Sequence, residues 1–367
     1  MAVQAGSAGV SPRVAEATIS QWAKRVSEET VGNYALLALL KAKKRLEYKN
    51  KGVNFRWTVR KDRHPLKGFP DNVPIPFSRK TTKTHAVLEW AGYHTEDVIT
   101  LQEKLQNGGE WAFLKVFANR EEDMRRGVME SMASEWYGNG TASGVNTTPF
   151  TGIEGMMSVG AQTATDELAT LHTATYAGLS TVVGSVSGNT ADSVLSRLWT
   201  PAIVNTTHTP ASGIRNWSEF ADEYIRKGLL TADFGKSRRP DLILLTKDSY
   251  EDLLNILANK ETLNFSRGEG LKTSKFGFEG FVEVDGCQVG WDEGLPATDP
   301  QGNTVDGYGF TIGQLMIKIM GDQLWTAKVE FNQNMQGDEI FLWCLGQMCF
   351  KSPRHFVKFV RLTGFAG

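Results

Sequence analysis

Three observations predict an α+β fold for this chain. Residues 110–137, EWAFLKVFANREEDMRRGVMESMASEWY, place Phe113, Phe117, Met124, Val128, Met132 and Trp136 at gaps of four or seven. That spacing holds them near one face of an α-helix. Residues 53–63, 81–93, 324–335 and 339–352 alternate apolar and polar side chains and read as strands of two long hairpins. Between them, residues 217–229 and 247–259 carry helical periodicity on either side of DLILL, residues 241–245, an unbroken apolar run suited to a strand buried on both faces.

The long helix is the spine of this reading. Asn107-Gly108-Gly109 interrupts the pattern before it, and Gly138-Asn139-Gly140 stops it afterwards. At 1.5 Å per residue it spans about 40 Å, long enough to carry other parts. Lys115, Arg120, Glu121, Arg125 and Glu130 occupy its opposite, polar face.

The chain has 367 residues, 41% hydrophobic and 22% charged, with a net charge of −1. A dedicated nucleic-acid-binding domain would be basic, so that class is not favoured. No apolar run approaches the ~20 residues that cross a bilayer. The opening MAVQAGSAGVSPR lacks the charged and apolar regions of a signal peptide. Cys287, Cys344 and Cys349 are too few and too scattered for a disulfide framework, which points to a reducing cytoplasm. Cys344 and Cys349, five apart in a strand, face opposite sides of it.

From the N-terminus, Ser11-Pro12 starts a helical pattern that is expected to reach about Tyr48, broken near Gly32-Asn33. Its basic end includes Lys41, Lys43, Lys44 and Arg45. These cations suit either an acidic partner or nucleic acid, or a solvated helix end whose charges complement the dipole; the second reading is favoured. Val53, Phe55, Trp57 and Val59 then share one face of a strand, and residues 81–93 form its partner. The intervening HPLKGFPDNVPIPFS, residues 64–78, holds four of the twelve prolines and is expected to be an irregular tip. A two-stranded arm is marginal alone. Its tip residues Phe69, Ile75, Phe77 and Lys67 are therefore expected to contact another subunit. Thr95 is placed as the cap of a short helix, EDVITLQEKLQ.

Residues 141–215, rich in Thr, Ser, Gly and Ala, read as loops with a short helix and weak strands. Asp285-Gly286 marks a hairpin turn between Val282-Val284 and Gln288-Trp291. FTIGQLMIKIM, residues 310–320, reads as one strand, and GYGFTIG, with Gly307, Gly309 and Gly313, as a turn leading into it. Gln336-Gly337-Asp338 is expected to be the tight turn of the long terminal hairpin, which would lie alongside the spine helix. Pro353 opens a last short strand.

The chain contains no P-loop, HExxH, CxxC pair or G-x-S-x-G elbow. Its six histidines, at 64, 85, 94, 172, 208 and 355, lack metal-ligand spacing. No catalytic residue, cofactor or metal is assigned, and the protein is not expected to be an enzyme.

GIEGMM (152–157), RPDLILLTKDSYEDL (239–253), GFVEVDGCQVGWDEGLP (280–296) and QGDEIFLWCLGQMCFKSPRHFVKF (336–359), in this order behind the arm and spine helix, resemble the major capsid protein of tailed bacteriophages, the Hong Kong 97-type fold. The resemblance covers nearly the whole chain. It implies an N-arm at 1–50, a β-hairpin E-loop at 51–95, a P domain with the spine helix at 96–150, and an A domain at 151–320. The P-domain long hairpin would follow at 321–352, and a return strand to the A domain at 353–367. It further implies hexamers and pentamers of identical subunits in an icosahedral shell around double-stranded DNA, without sequence-specific contact. A separate scaffolding protein, a portal and decoration proteins would be partners, with assembly in the bacterial cytoplasm and residence in the virion capsid. Lys61, Lys67 and Lys80 lie on the arm, but no partner glutamate is assignable, so covalent joining of subunits is not expected. An encapsulin-type nanocompartment shell is the alternative within the same fold. A cytoplasmic α/β enzyme with a dispersed active site is the alternative outside it.

Overall fold

The computed structural model describes residues 22–28, 34–61, 64, 68, 79, 81–100, 102–103, 110–141, 149–158, 167–168, 175–181, 199–208, 215–233, 239–259, 281–332 and 337–362. The tip residues Lys67, Phe69, Ile75 and Phe77 lie outside them, as do the side chains of Phe113 and Phe117.

Two helical pieces come first, α1 (22–28) and α2 (Ala35–Ala42). Trp22, Ala23 and Val26 of α1 are buried, and the Trp325 N–H donates to Ser27 Oγ at 2.9 Å, tying α1 to the far end of the chain. The helical reading to Tyr48 is too long. The helix stops at Ala42, Lys44 turns to φ 54°, and Leu46–Glu47 becomes a short strand, β1. Pairing with a strand from the other end of the chain outweighs the helix propensity of a lysine-rich segment.

β2 (Phe55–Arg60) and β3 (Lys83–Leu88) pair antiparallel, Phe55 opposite Leu88. Phe55 and Val59 are buried and Arg56, Thr58 and Arg60 exposed, the alternation of a half-buried ladder. Val53 does not join that face and is 91% exposed.

The largest departure from the sequence reading is β4 (Ala91–Thr100). The helix capped by Thr95 does not form there. All ten residues pair antiparallel with a strand near the C-terminus, Ala91 opposite Gly346 and Thr100 opposite Gly337. Val98, Ile99 and Thr100 are β-branched, and ten rungs of ladder prevail over the local preference of Glu96.

The spine helix α3 runs Glu110–Glu135. It packs on β4. Arg120 reaches Asp97 at 3.3 Å and Glu103 at 3.0 Å, and the Tyr93 hydroxyl donates to Glu135 at 2.5 Å. The Tyr34 hydroxyl donates to the Met129 carbonyl. Met124, Val128, Met132 and Trp136 are buried.

Small ladders follow: β5 (Thr175–Tyr176) with β6 (Leu179–Ser180), and β8 (Thr207–His208) with β9 (Arg215–Asn216), β7 (Ala202–Asn205) lying between the two pairs in sequence. Helices α4 (Trp217–Ala232) and α5 (Lys247–Asn259) flank β10 (Leu242–Leu245) in sequence. The hairpin of β11 (Val282–Val284) and β12 (Cys287–Trp291) closes through Asp285 and Gly286 at φ 50° and 78°. Positive φ at both turn residues is the geometry that matches strand twist in a two-residue loop. β13 (Thr304–Phe310) and β14 (Leu315–Ile319) are separate strands divided by a 3-10 turn at Ile312–Gln314. The expected single strand over 310–320 is thus broken. Gly307 and Gly309 sit inside β13, paired with β10, rather than in a turn; position 307 requires glycine because a Cβ there would meet the Leu244 carbonyl oxygen at 2.5 Å.

β15 (Thr326–Asn332) and β16 (Gly337–Phe350) form the terminal hairpin, with Asn332 opposite Gly337. Gly337 and Asp338 therefore belong to β16 rather than to the expected Gln336–Asp338 turn, and Gln336 lies outside the described residues. β17 (Val357–Arg361) ends the chain's regular structure.

Two sheets organise these strands. The first centres on β16, in the order β1-β14-β16-β15, with β4 also bonded to β16. Ile340, Leu342 and Cys344 are buried and alternate with half-buried residues, after which residues 346–350 are buried on both faces. The second sheet runs β11-β12-β10-β13-β17-β7. Ile243 and Leu245 of β10 face a core shared with α4 and α5, whereas Leu242 and Leu244 face the core that contains the end of α3. Each such side chain contributes about 1.5–3 kcal/mol by leaving water.

Candidate functional site

The described residues hold one concentration of buried charge, where the second sheet meets the end of the spine helix. It begins with GIEG. After α3, the Ile153 and Glu154 N–H groups donate to the Trp136 and Tyr137 carbonyls, satisfying acceptors that a helix C-terminus leaves open. A Cβ at Gly152 would lie 2.4 Å from the Trp136 carbonyl oxygen, so only glycine permits this approach. The turn aims Glu154 beneath the sheet. From β13, the Tyr308 hydroxyl donates to Glu154 Oε1 at 2.5 Å, and its ring stacks on Tyr137 with centroids 5.6 Å apart. From β17, Lys358 Nζ lies 2.7 Å from Glu154 Oε1 and 2.8 Å from Asp299 Oδ2. The side chains of Lys358 and Asp299 are 0% exposed and that of Glu154 is 1% exposed.

Asp299 is positioned by its own loop. Its Oδ1 accepts from the Gln301 and Asn303 backbone N–H groups at 3.0 and 2.7 Å, and Asn303 Nδ2 donates to its Oδ2 at 3.0 Å. Burial pushes the Glu154 carboxyl up despite the opposing Lys358 ammonium. Burial also acts upward on Asp299, but the Lys358 charge and the Lys358 and Asn303 hydrogen bonds outweigh it and hold that carboxyl low. One cation beside two carboxylates is balanced when Glu154 retains its proton. Burial raises the Tyr308 and Tyr137 hydroxyls well above their usual value, so both remain donors.

The same seam is closed by the acidic loop after β12. Tyr137 donates to Asp292 at 2.6 Å, and the Gly294 N–H donates to Asp292 Oδ1 at 2.9 Å. Gly294 sits where a Cβ would be 2.4 Å from the Ala133 carbonyl oxygen of α3. A cleft of about 310 Å³ opens here, lined in part by Glu135, Thr141, Phe150, Glu154, Asp299 and Pro300.

A further buried carboxylate, Asp306, accepts from Ser249 Oγ at 2.7 Å, Thr206 Oγ1 at 2.5 Å and the Arg361 guanidinium at 2.7 Å. These partners join α5, the junction of β7 and β8, and β17. Both carboxylate oxygens accept from structural donors, an arrangement suited to holding these elements together. Among the described residues no group of three or more His, Cys, Asp or Glu side chains is arranged to hold a metal ion. The three cysteines are buried and unpaired, and burial raises the Cys344 thiol to about 12.

Of the residues singled out by sequence, Lys41, Lys43 and Lys44 are exposed at the end of α2. Arg45 is half-buried there, its carbonyl accepting from the Ile317 N–H at 3.0 Å. The charge node went unnoticed in the sequence. GIEG and the acidic loop each stood out as motifs, but nothing local links them to Lys358, 204 residues from Glu154 and 59 from Asp299.

What the described residues define is an architecture. A long spine helix packs on an extended sheet, and a second sheet bearing two helices is fastened to the end of that helix. Compared by sequence, the chain matches no family model and no curated protein. Compared by fold, it is similar to the capsid of a native GTA particle, with a TM-score of 0.53 at 8% identity over 88% of this chain and 89% of that one. It is likewise similar to the Cyanophage A-1(L) capsid, with a TM-score of 0.52 at 12% identity over 86% of this chain and 90% of that one. The capsid of an empty GTA particle gives 0.51 at 11% identity over 87% and 88%. The chain therefore has the Hong Kong 97-type capsid fold.

Proposed function

We propose that this protein is a major capsid protein that assembles with copies of itself into an icosahedral shell enclosing double-stranded DNA. The observation that carries the reading is the likeness of fold to capsid subunits along almost the whole length of both chains, at 86–88% of this one. In this reading residues 1–50 are the N-arm and 51–95 the E-loop. The P domain comprises 96–150 and 321–352, the A domain 151–320, and 353–367 return to the A domain. Phe69, Ile75, Phe77 and Lys67 at the E-loop tip contact a neighbouring subunit. The buried face of Phe113, Phe117, Met124, Val128, Met132 and Trp136 fixes the spine helix to its own subunit. Overlapping arms multiply many weak contacts into a stable wall. Scaffolding, portal and decoration proteins would be partners, with assembly in the bacterial cytoplasm and residence in the virion.

A near-neutral chain suits a wall that encloses DNA without gripping it, since a strongly basic inner face would bind phosphate tightly. Negative-stain electron microscopy and sedimentation of the purified protein, with and without its scaffolding partner, test the proposal. Closed, uniform shells support it. Small particles under both conditions refute it, and shells that enclose a cargo protein instead of DNA would identify a nanocompartment.

A further inference from the structure

We infer that Lys358 and Asp299 of the same chain become joined by an intramolecular isopeptide bond, with Glu154 as the group that moves the protons. Such a bond needs an amine held against a carboxyl carbon, a proton-shuttling acid beside both, and a surrounding poor in water. All three are present. Lys358 Nζ is 2.8 Å from Asp299 Oδ2 and 2.7 Å from Glu154 Oε1, with the lysine wholly enclosed. The Tyr308 and Tyr137 rings wall the site. In such a setting bulk water is kept from competing with the amine at the carboxyl carbon. Holding the reactants in contact also removes the entropic barrier of bringing them together.

The step balances without any co-reactant. Glu154, which holds a proton, delivers it to the Asp299 carboxylate and takes one from the Lys358 ammonium in exchange. The neutral Nζ then attacks Asp299 Cγ; the C–N bond forms, a C–O bond breaks, and the oxygen leaves as water. Glu154 mediates the remaining proton transfer and ends as it began. The cleft lined by Glu154 and Asp299 gives that water a route out. Burial raises Glu154, as suits an acid that must hold and release a proton in turn. The amide would join β17 to the loop between β12 and β13, so that this last strand of the chain could not be pulled out of the second sheet without breaking a covalent bond. This inference does not depend on shell assembly, because the bond lies within one subunit.

Mass spectrometry of the purified, folded full-length protein provides the test. Denatured protein should be one water lighter than its sequence requires. A tryptic digest should yield a branched peptide joining residues 358 and 299, with no cleavage after Lys358. The D299N variant should give the same branched peptide with loss of ammonia in place of water. E154Q, which preserves size but removes the carboxyl that carries the proton, should slow bond formation at least about tenfold. Full cleavage after Lys358 in wild-type protein kept folded for days, with no branched peptide, would overturn the inference and leave a buried ion pair. That result needs no variant, so poor folding of E154Q cannot obscure it.

Discussion

Met132→Asp on the spine helix is the sharpest test of how the two sheets are held together. Met132 is 2% exposed and lies in the core that also contains Trp136, Phe150 and Tyr308. Replacing it removes about 1.5–3 kcal/mol of apolar burial. The new carboxyl has no cation designed to meet it. Burial of this degree raises a carboxyl by up to 3–5 units, and each unit corresponds to 1.36 kcal/mol. Keeping the group neutral near pH 7 therefore costs several kcal/mol more. Together the two effects reach roughly 5–8 kcal/mol, comparable to the 5–15 kcal/mol stability of a typical domain. Ser131, the preceding residue, is exposed, so Ser131→Asp should fall within about 0.5 kcal/mol of wild type. Soluble yield and urea unfolding followed by tryptophan fluorescence distinguish the two. M132D should be insoluble or unfold at far lower urea while S131D is unchanged. Equal midpoints for the two variants would refute the assignment of this helix face to the core.

Deleting residues 64–78 should leave a folded subunit, with unchanged circular dichroism, that fails to form stable shells by sedimentation; normal shells would show that the arm tip is not a clasp. Glu154 is raised above 4.5, so the native state holds a proton that the unfolded chain has released. Its contribution to stability is complete below pH 4.5 and is lost as pH rises through the raised folded value. Urea midpoints across that range should fall with pH in wild type, and Glu154→Gln should flatten this component; an unchanged slope would remove Glu154 as its source. Gly294→Ala should cost about 1–3 kcal/mol by forcing a Cβ towards the Ala133 carbonyl, measured as a lower urea midpoint. At Gly286 nothing lies within 4 Å, so Gly286→Ala should cost only the strain of φ 78°, about 1–2 kcal/mol, without displacing the helix end.

How much of this was legible beforehand follows from the range of the forces involved. The spine helix, the Asp285-Gly286 turn and the doubly buried β10 are encoded by neighbours in sequence. A repeat of four, a pair of residues tolerating positive φ, and an unbroken apolar run each carry their own physics. Their order was enough to suggest the fold. What tertiary structure decided is everything that depends on a distant partner. Ala91–Thr100 is a strand because β16 supplies ten rungs, although its own residues were compatible with a helix. Leu46–Glu47 leaves the helical pattern to pair with Ile317–Lys318. Gly307 sits within a strand because β13 pairs with β10, and the Leu244 carbonyl oxygen, 2.5 Å from where a Cβ would be, admits only glycine there. The meeting of Glu154, Asp299 and Lys358 belongs to the same kind. Nothing local in the sequence distinguishes these three charges, and only the packing of the second sheet onto the end of the spine helix takes them out of water.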